Sequence, residues 1–231
     1  MPVLDRPIWE RWEDQIAAGH SALVLVDFQN DFVHRDGWVA TQQIPGFLGD
    51  TGIDLAVERA ASLLAAARAA GVLRVFVRMI GDEKYLSASM HALYARNHGH
   101  RRPVCVQEGT WGADFHTALR PADVDSAVAE REIVIDKHRY SAFIGTRLDQ
   151  VLRSNGVEAL VICGVATSGC VESTIRDGFM LDYYVVTAGD ACADYEEARH
   201  RATLSKMDLS FGYVQSSSDI VALWTNRAAA A

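Results

Sequence analysis

Short runs of apolar residues alternate along the chain with longer segments whose apolar residues recur at helical spacing. The short runs have the length and continuous apolar character of strands buried on both faces of a sheet. They lie at 22–26, 72–77, 132–136, 159–163 and 183–187, with a short last run at 211–214. The segments predicted to be helices lie at 53–70, 146–154, 170–181 and 196–208.

This alternation predicts the fold class. Strands separated by helices require right-handed crossovers, and these produce a mainly parallel sheet covered on both faces. We expect a three-layer α/β/α fold with a doubly wound sheet. The 231 residues of the chain are enough for a single domain over 1–231, and no linker or repeat divides them. Segment 81–112 interrupts the pattern with polar, irregular sequence, which we interpret as an inserted lid or oligomer-contact segment.

Composition and charge narrow the class of function. A net charge of −8 at pH 7 argues against a nucleic-acid-binding surface. No apolar run approaches the roughly 20 residues needed to span a bilayer, so no membrane partner is expected. The N-terminal segment lacks the apolar centre of an export signal, and the four cysteines form no CxxC pair. We therefore expect reduced thiols in a cytoplasmic protein.

Three residues with complementary chemistry, Asp27, Lys137 and Cys170, each follow a predicted strand. Because ligands bind at the C-terminal edge of parallel sheets, we expect these side chains to converge. A helix N-terminus and a nearby ammonium both favour a cysteine thiolate, the nucleophilic form. An adjacent carboxylate can accept the thiol proton and pass it to a leaving amine. Taken singly, each residue also fits a structural role, as a core thiol, a turn carboxylate or a solvated lysine.

The same residues lie in three motifs that resemble those of a known family. The motifs are ALVLVDFQND at 22–31, VIDKHRYSAF at 134–143 and GVATSGC at 164–170. Over about 21–221, and in this order, they resemble the isochorismatase-like cysteine hydrolase superfamily.

The resemblance implies a role for each residue. Cys170 is the nucleophile, Asp27 the general base and acid, and Lys137 their charged partner. A cis peptide bond is implied between Val165 and Ala166, directing the backbone amides of Ala166 and Cys170 at the oxyanion that forms during the reaction.

The resemblance also implies the reaction. A cysteine in the nucleophile position indicates hydrolysis of an amide or ureide C–N bond. Segments 139–143 and 170–179 resemble ureidoacrylate amidohydrolases, whereas TSGC at 167–170 resembles N-carbamoylsarcosine and maleamate amidohydrolases. We expect a small linear N-carbamoyl or ureido substrate, such as ureidoacrylate, and a thioester intermediate. Alternatives are biuret, triuret or maleamate hydrolysis, non-covalent vinyl-ether hydrolysis of the isochorismatase type, and a non-enzymatic thiol redox sensor.

No metal or other cofactor is expected. Nicotinamidase-type members carry a metal site after the second strand, but RMIGD at 78–82 lacks its pattern. The histidines of the insertion, His91, His98 and His100, lie elsewhere and are interpreted as lid or surface residues. The resemblance further implies a homo-oligomer, a dimer or a tetramer.

Polar and aromatic residues beside the motifs are candidates for substrate binding. They are Gln29, Asn30 and Phe32 after the base, Glu108 and Trp111 at the end of the insertion, and Arg139 and Tyr140 after Lys137. Arg139 offers a bidentate fork for a carboxylate or ureido oxygen. Each candidate also has a structural alternative, as a turn residue, a core aromatic or half of a surface ion pair.

Overall fold

The computed structural model describes residues 8–42, 52–98, 105–122 and 129–229. Its centre is a six-stranded sheet in which neighbouring strands are parallel. The strands are β1 Ser21–Val26, β2 Leu73–Met79, β3 Glu132–Lys137, β4 Ala159–Val165, β5 Tyr184–Ala193 and β6 Tyr213–Gln215. They lie in the order β3-β2-β1-β4-β5-β6. The predicted doubly wound parallel sheet is confirmed.

Helices cover both faces of this sheet. They are α1 Trp12–Gln15, α2 Asn30–Val33, α3 Trp38–Thr41, α4 Ile53–Ala69, α5 Ala88–His98, α6 Leu148–Ser154, α7 Glu172–Met180, α8 Glu197–Ser210 and α9 Ser217–Ala229. A π-helical turn, Thr167–Val171, precedes α7, and short 3₁₀ turns occur at Glu83–Tyr85, Trp111–Ala113, Thr117–Leu119 and Ala129–Arg131. Within the described ranges, every helix is too short or too polar to cross a membrane.

The central strands set the position of the site. Every residue of β1 and β4 is buried, as expected for strands covered on both faces. Val26 at the end of β1 is aligned with Val77 of β2 and with Gly164 of β4. The chain builds β2 and β3 on one side of β1, then returns to place β4 on its other side. Ligands of open parallel sheets bind at such a reversal, so the ends of β1 and β4 form the expected crevice.

The observed elements differ from the predicted ones in several places. Helices α5 and α9 are absent from the prediction, although α9 buries Ile220 and Trp224 one turn apart. Strand β5 continues beyond the predicted 183–187, because small residues extend the strand without forming an apolar run. The helix predicted to begin at Cys170 begins instead with the π-helical turn.

We expect Gly164→Ala to lower the free energy of unfolding by about 2–4 kcal/mol. Gly164 has φ +146°, and a Cβ there would lie 2.2 Å from the carbonyl oxygen of Val26, so β1 and β4 would have to separate. Denaturant unfolding of the variant and the parent chain measures the loss. The control is Gly156→Ala, where φ is also positive but no heavy atom lies within 4 Å, with an expected loss of about 1 kcal/mol. Equal losses would show that close backbone approach is not the cause.

Candidate active site

The side chains of Asp27, Lys137 and Cys170 meet at the C-terminal edge of the sheet. The Lys137 ammonium nitrogen lies 2.7 Å from Oδ2 of Asp27 and 3.2 Å from Sγ of Cys170. It also donates a hydrogen bond to the carbonyl oxygen of Arg139 at 3.1 Å. Each of the three ammonium hydrogens therefore has an acceptor, which fixes the nitrogen in place. The structure brings together all three residues predicted from the sequence to be catalytic.

Asp27 and Lys137 are held by the ends of their strands. Asp27 is the first residue beyond β1 and has φ +56°, in the left-handed region that few side-chain-bearing residues adopt and that Asp tolerates better than most. Its N–H donates to the carbonyl oxygen of Val77 at 2.9 Å. Lys137 is the last residue of β3, and both charged side chains have no solvent exposure. Removing two charges from water is costly, so a buried pair in a crevice indicates a functional site.

Cys170 lies in the π-helical turn Thr167–Val171, between β4 and α7. The turn is closed by the N–H of Val171, which donates to the carbonyl oxygen of Ala166 at 3.3 Å. Single π-helical turns often occur at functional sites. The peptide bond between Val165 and Ala166 is cis, as the resemblance implies.

The loop after β5 and helix α8 anchor this turn. The carboxylate of Asp194 accepts a hydrogen bond from the N–H of Ser168 at 2.6 Å. The hydroxyl of Thr167 lies 2.8 Å from Nδ1 of His200 on α8. At the other end of the turn, the Thr174 hydroxyl donates to the carbonyl oxygen of Cys170 at 2.7 Å. Backbone and side-chain contacts thus fix the position of the thiol.

Burial dominates the protonation of the three groups. It raises the pKa of Asp27, and the Lys137 ammonium only partly opposes this. Burial lowers the pKa of Lys137, but the opposing effects of Asp27 and Cys170 are larger, so the pKa is raised. Burial, followed by the Asp27 carboxylate, raises the pKa of Cys170 to about 12. Burial and the Asp27 carboxylate therefore both oppose the thiolate expected from the sequence, whereas the Lys137 ammonium favours it.

The carboxylate of Asp27 is placed to act as a base. Its Oδ2 lies 2.7 Å from the Lys137 ammonium nitrogen, and hydrogen bonding by the Cys170 thiol also lowers the pKa of Asp27. Because the thiol is a hydrogen-bond partner of the carboxylate, Asp27 can accept its proton directly. A raised pKa brings the proton affinity of Asp27 closer to that required at neutral pH.

A cavity of about 300 Å³ opens onto Asp27 and Cys170, at the small end of the range for ligand pockets. Of the residues predicted to bind substrate, Phe32 and Tyr140 line it, and Val165 and Ala166 form part of its wall. Trp38, Val39, Met79, Leu86, Tyr94, Cys105 and Tyr195 also line it, and the sequence did not indicate them. Tyr195 could have been found, because it follows a strand; the prediction ended that strand too early, at 187.

Gln29 and Asn30 support the site from behind. The Gln29 side chain is fully buried; it donates to the carbonyl oxygens of Met79 and Ala113 and accepts from the Met79 N–H. The Asn30 amide donates to the carbonyl oxygen of Trp111 at 2.8 Å. These side chains complete the backbone hydrogen bonding around the Asp27 turn.

Three other substrate-binding candidates lie outside the cavity lining. Glu108 is exposed and pairs with Lys84 at 3.2 Å. Trp111 is half exposed and packs edge-on against the ring of His34. Arg139 donates through Nη1 to the carbonyl oxygen of Tyr85 at 3.0 Å. The positions of these three residues, like those of Gln29 and Asn30, do not support a role in substrate binding.

The expectation of no metal site stays a prediction. Across the ranges that the structure describes, no cluster of three or more His, Cys, Asp or Glu residues is suited to hold a metal. His91 is exposed on α5. His100 and the rest of 99–104, part of the insertion 81–112, lie outside the described residues.

Comparison with known proteins gives concordant results. The isochorismatase domain model matches residues 21–219, a range that includes all six strands. The ureidoacrylate amidohydrolase RutB of Acinetobacter baylyi is 32% identical over 223 residues, which cover 90% of this chain and 84% of the relative. A cysteine hydrolase from Pseudomonas syringae pv. phaseolicola has a TM-score of 0.76 at 27% identity, covering 96% of this chain and 99% of that one. N-carbamoylsarcosine amidase from Thermoplasma acidophilum has a TM-score of 0.65 at 25% identity, covering 86% of this chain and 96% of that one.

The charge balance around the thiol predicts opposite effects of two substitutions on alkylation. Asp27→Asn removes a carboxylate that raises the pKa of Cys170, so the pH at which iodoacetamide alkylation becomes half-maximal should fall. Lys137→Met removes the ammonium that lowers this pKa and should slow the reaction. In the parent chain the rate should still rise above pH 9, because the pKa lies higher.

Mass spectrometry of the Cys170 peptide between pH 7 and pH 11 gives these rates, with folding checked by circular dichroism. Cys192 serves as an internal control, because burial raises its pKa to about 12 and it lies outside the cavity lining. Its rate should be unchanged in both variants. An alkylation midpoint that is unchanged or higher in Asp27→Asn would contradict the assignment of the carboxylate, after burial, as a cause of the raised thiol pKa.

Proposed function

The chain belongs to the isochorismatase family of hydrolases, and from this we propose that it cleaves a C–N bond of a small amide or ureide through a thioester on Cys170. The observation that carries the proposal is the contact of the Lys137 ammonium with both Asp27 and Cys170 beside the cavity. The relatives named ureidoacrylate amidohydrolase and N-carbamoylsarcosine amidase support the bond type.

In the proposed reaction, Asp27 starts as a carboxylate and Cys170 as a thiol. As Sγ attacks the substrate carbonyl carbon, Asp27 accepts the thiol proton, and the Lys137 ammonium stabilises charge that develops on sulfur. Collapse of the tetrahedral intermediate breaks the C–N bond, and Asp27 returns the proton to the leaving nitrogen. Ammonia or an amine departs, and the acyl or carbamoyl group remains on Cys170.

Water completes the cycle. Asp27 removes a proton from water as the water oxygen attacks the thioester carbon. The C–S bond then breaks, the acid product is released, and Asp27 returns its proton to the departing sulfur to regenerate the thiol. The carbonyl oxygen carries negative charge in both steps. We assign the backbone amides of Ala166 and Cys170 to this oxyanion, since both residues line the cavity beside the nucleophile.

A neutral resting thiol suits this mechanism. In the resting state the ammonium and carboxylate balance each other, so the buried site carries no net charge. Proton transfer from Cys170 to Asp27 then moves the negative charge from oxygen to sulfur, and Lys137 contacts both atoms. The ammonium therefore stabilises the charge before and after the transfer, and the transfer needs little rearrangement.

We propose two further properties, the oligomeric state and the location in the cell. A homo-oligomer is favoured by the family resemblance and by the large exposed side chains of Met180 and Leu209, which are 74% and 80% exposed. A cytoplasmic location is consistent with four free cysteines.

We expect size-exclusion chromatography with light scattering to give a mass at least about twice the 25.3 kDa of one chain over a range of concentrations. The self-complementary contact of a twofold dimer buries apolar surface, and Met180→Glu, Leu209→Glu tests the exposed side chains. Unchanged mass in this double variant, with a parent that is oligomeric, would place the interface elsewhere. A parent chain of monomeric mass at all concentrations would overturn the proposal.

Cys170→Ala should abolish the release of ammonia or amine from amides and ureides, lowering kcat by at least about 10³-fold. The panel should include ureidoacrylate, N-carbamoyl amino acids, maleamate, biuret, triuret and simple amides. Intact-mass spectrometry of the quenched parent enzyme should show an acyl or carbamoyl adduct on the Cys170 peptide. Cys192→Ala is the control, because it also removes a thiol but one outside the cavity lining.

The alternatives give distinguishable results. Retained activity in Cys170→Ala would indicate non-covalent hydrolysis. Folded parent protein that releases no nitrogen from any member of the panel and forms no adduct would overturn the amidohydrolase assignment.

A further inference from the structure

We propose that the part of the substrate beyond the scissile bond is uncharged and apolar, so that the enzyme acts on neutral alkyl or aryl amides and ureides and discriminates against those bearing a free carboxylate. This inference rests on the proposed function and names the substrate class of the same site. It departs from the substrate named for the ureidoacrylate relatives, which carries a carboxylate.

The cavity wall is the first argument. Apolar and aromatic side chains converge on it from separate elements: Phe32 from α2, Trp38 from α3, Leu86 from the segment after β2, Tyr94 from α5 and Tyr195 from the loop after β5. Such a wall stabilises an apolar group by about 25 cal/mol for each Å² removed from water. A carboxylate in the same place would lose its hydration, at a cost of several kcal/mol, without a compensating partner.

The charge of the lining is the second argument. Among the lining residues that the structure describes there is no Arg, Lys or His, and the ionisable side chains are Asp27, two cysteines and tyrosines. Asp27 is part of a neutral pair with Lys137, so the described part of the site has no surplus positive charge. The tyrosine hydroxyls can hydrogen-bond a neutral carbonyl or N–H group, but they cannot balance a carboxylate.

Two cations that are close in sequence to lining residues, Lys84 and Arg139, are the third argument. Lys84 is next to the lining segment and lies 3.4 Å from Asp82 and 3.2 Å from Glu108, so two carboxylates surround one ammonium. Arg139 donates to the carbonyl oxygens of Tyr85 and His138 and does not line the cavity. The arginine expected to bind a substrate carboxylate is therefore directed at the protein backbone.

Matched substrate pairs that differ in a terminal methyl or carboxylate test the inference. The pairs are pentanamide with 4-carbamoylbutanoate, butylurea with 4-ureidobutanoate, and 4-methylbenzamide with 4-carbamoylbenzoate. We expect kcat/KM to be at least about tenfold higher for the neutral member of each pair that is hydrolysed, because only the anion must be desolvated unpaired.

A designed cation should reverse the preference. Leu86→Arg adds a guanidinium to the half-buried wall, so the ratio of kcat/KM for the anionic to the neutral member should rise by about tenfold or more. Leu55→Arg is the matched control: it makes the same substitution at an exposed position on α4, outside the lining, and should leave the ratio unchanged. If Leu86→Arg does not fold, the parent enzyme with the three pairs still decides the question.

The outcomes separate this inference from the proposed function. Hydrolysis of the anionic members as fast as or faster than the neutral ones, through the Cys170 adduct, would overturn the inference and leave amide hydrolysis intact. A preference for neutral members that follows the designed charge supports it. Failure of folded enzyme on all six compounds and on the wider amide panel, with no adduct on Cys170, would overturn both.

Discussion

The site is organised around one buried ion pair, formed by the Asp27 carboxylate and the Lys137 ammonium. Asp27 directly follows β1 and Lys137 is the last residue of β3. Because β2 lies between these strands in the sheet, the lysine side chain must reach across the end of β2. There its ammonium nitrogen lies 3.8 Å from the thioether sulfur of Met79, a neutral and polarisable side chain that brings no second charge to the ion pair. The pair can remain out of water because the ammonium has an acceptor in each direction. It also sets the protonation of the thiol beside it.

Strand ends explain how much of this could be predicted from the sequence. Asp27 stands out because a charged residue directly after a buried apolar run has few structural reasons to be there. Lys137 follows the shorter apolar run at 133–135, and parallel topology brings the two strand ends together. The same rule would have identified Tyr195 and Asp194, but β5 ends in small residues that carry no hydrophobic periodicity. Helix α5 was missed for a related reason, since its segment shows no clear apolar stripe.

Polar residues beside the motifs were harder to interpret, and the reason is physical. A loop that turns sharply at a buried edge leaves backbone N–H and carbonyl groups without strand partners, and a nearby amide or guanidinium can satisfy them. Gln29 does this for Met79 and Ala113, and Arg139 does it for Tyr85 and His138. Composition does not distinguish a side chain that binds substrate from one that binds backbone. The residues that line the cavity come from segments far apart in the sequence, so only the tertiary structure shows that they lie together.

In the loop after β5, two adjacent residues, Asp194 and Tyr195, have different roles in the site. The Asp194 carboxylate bonds the nucleophile turn at Ser168, while Tyr195 forms part of the cavity wall. Leu86 and Tyr94 line the same cavity from the insertion 81–112. Mutations there alter the cavity wall and leave the hydrogen bond from Ser168 to Asp194 in place. Over evolutionary time, such a scaffold can acquire new substrates through the insertion, while the β5 side keeps the chemistry constant.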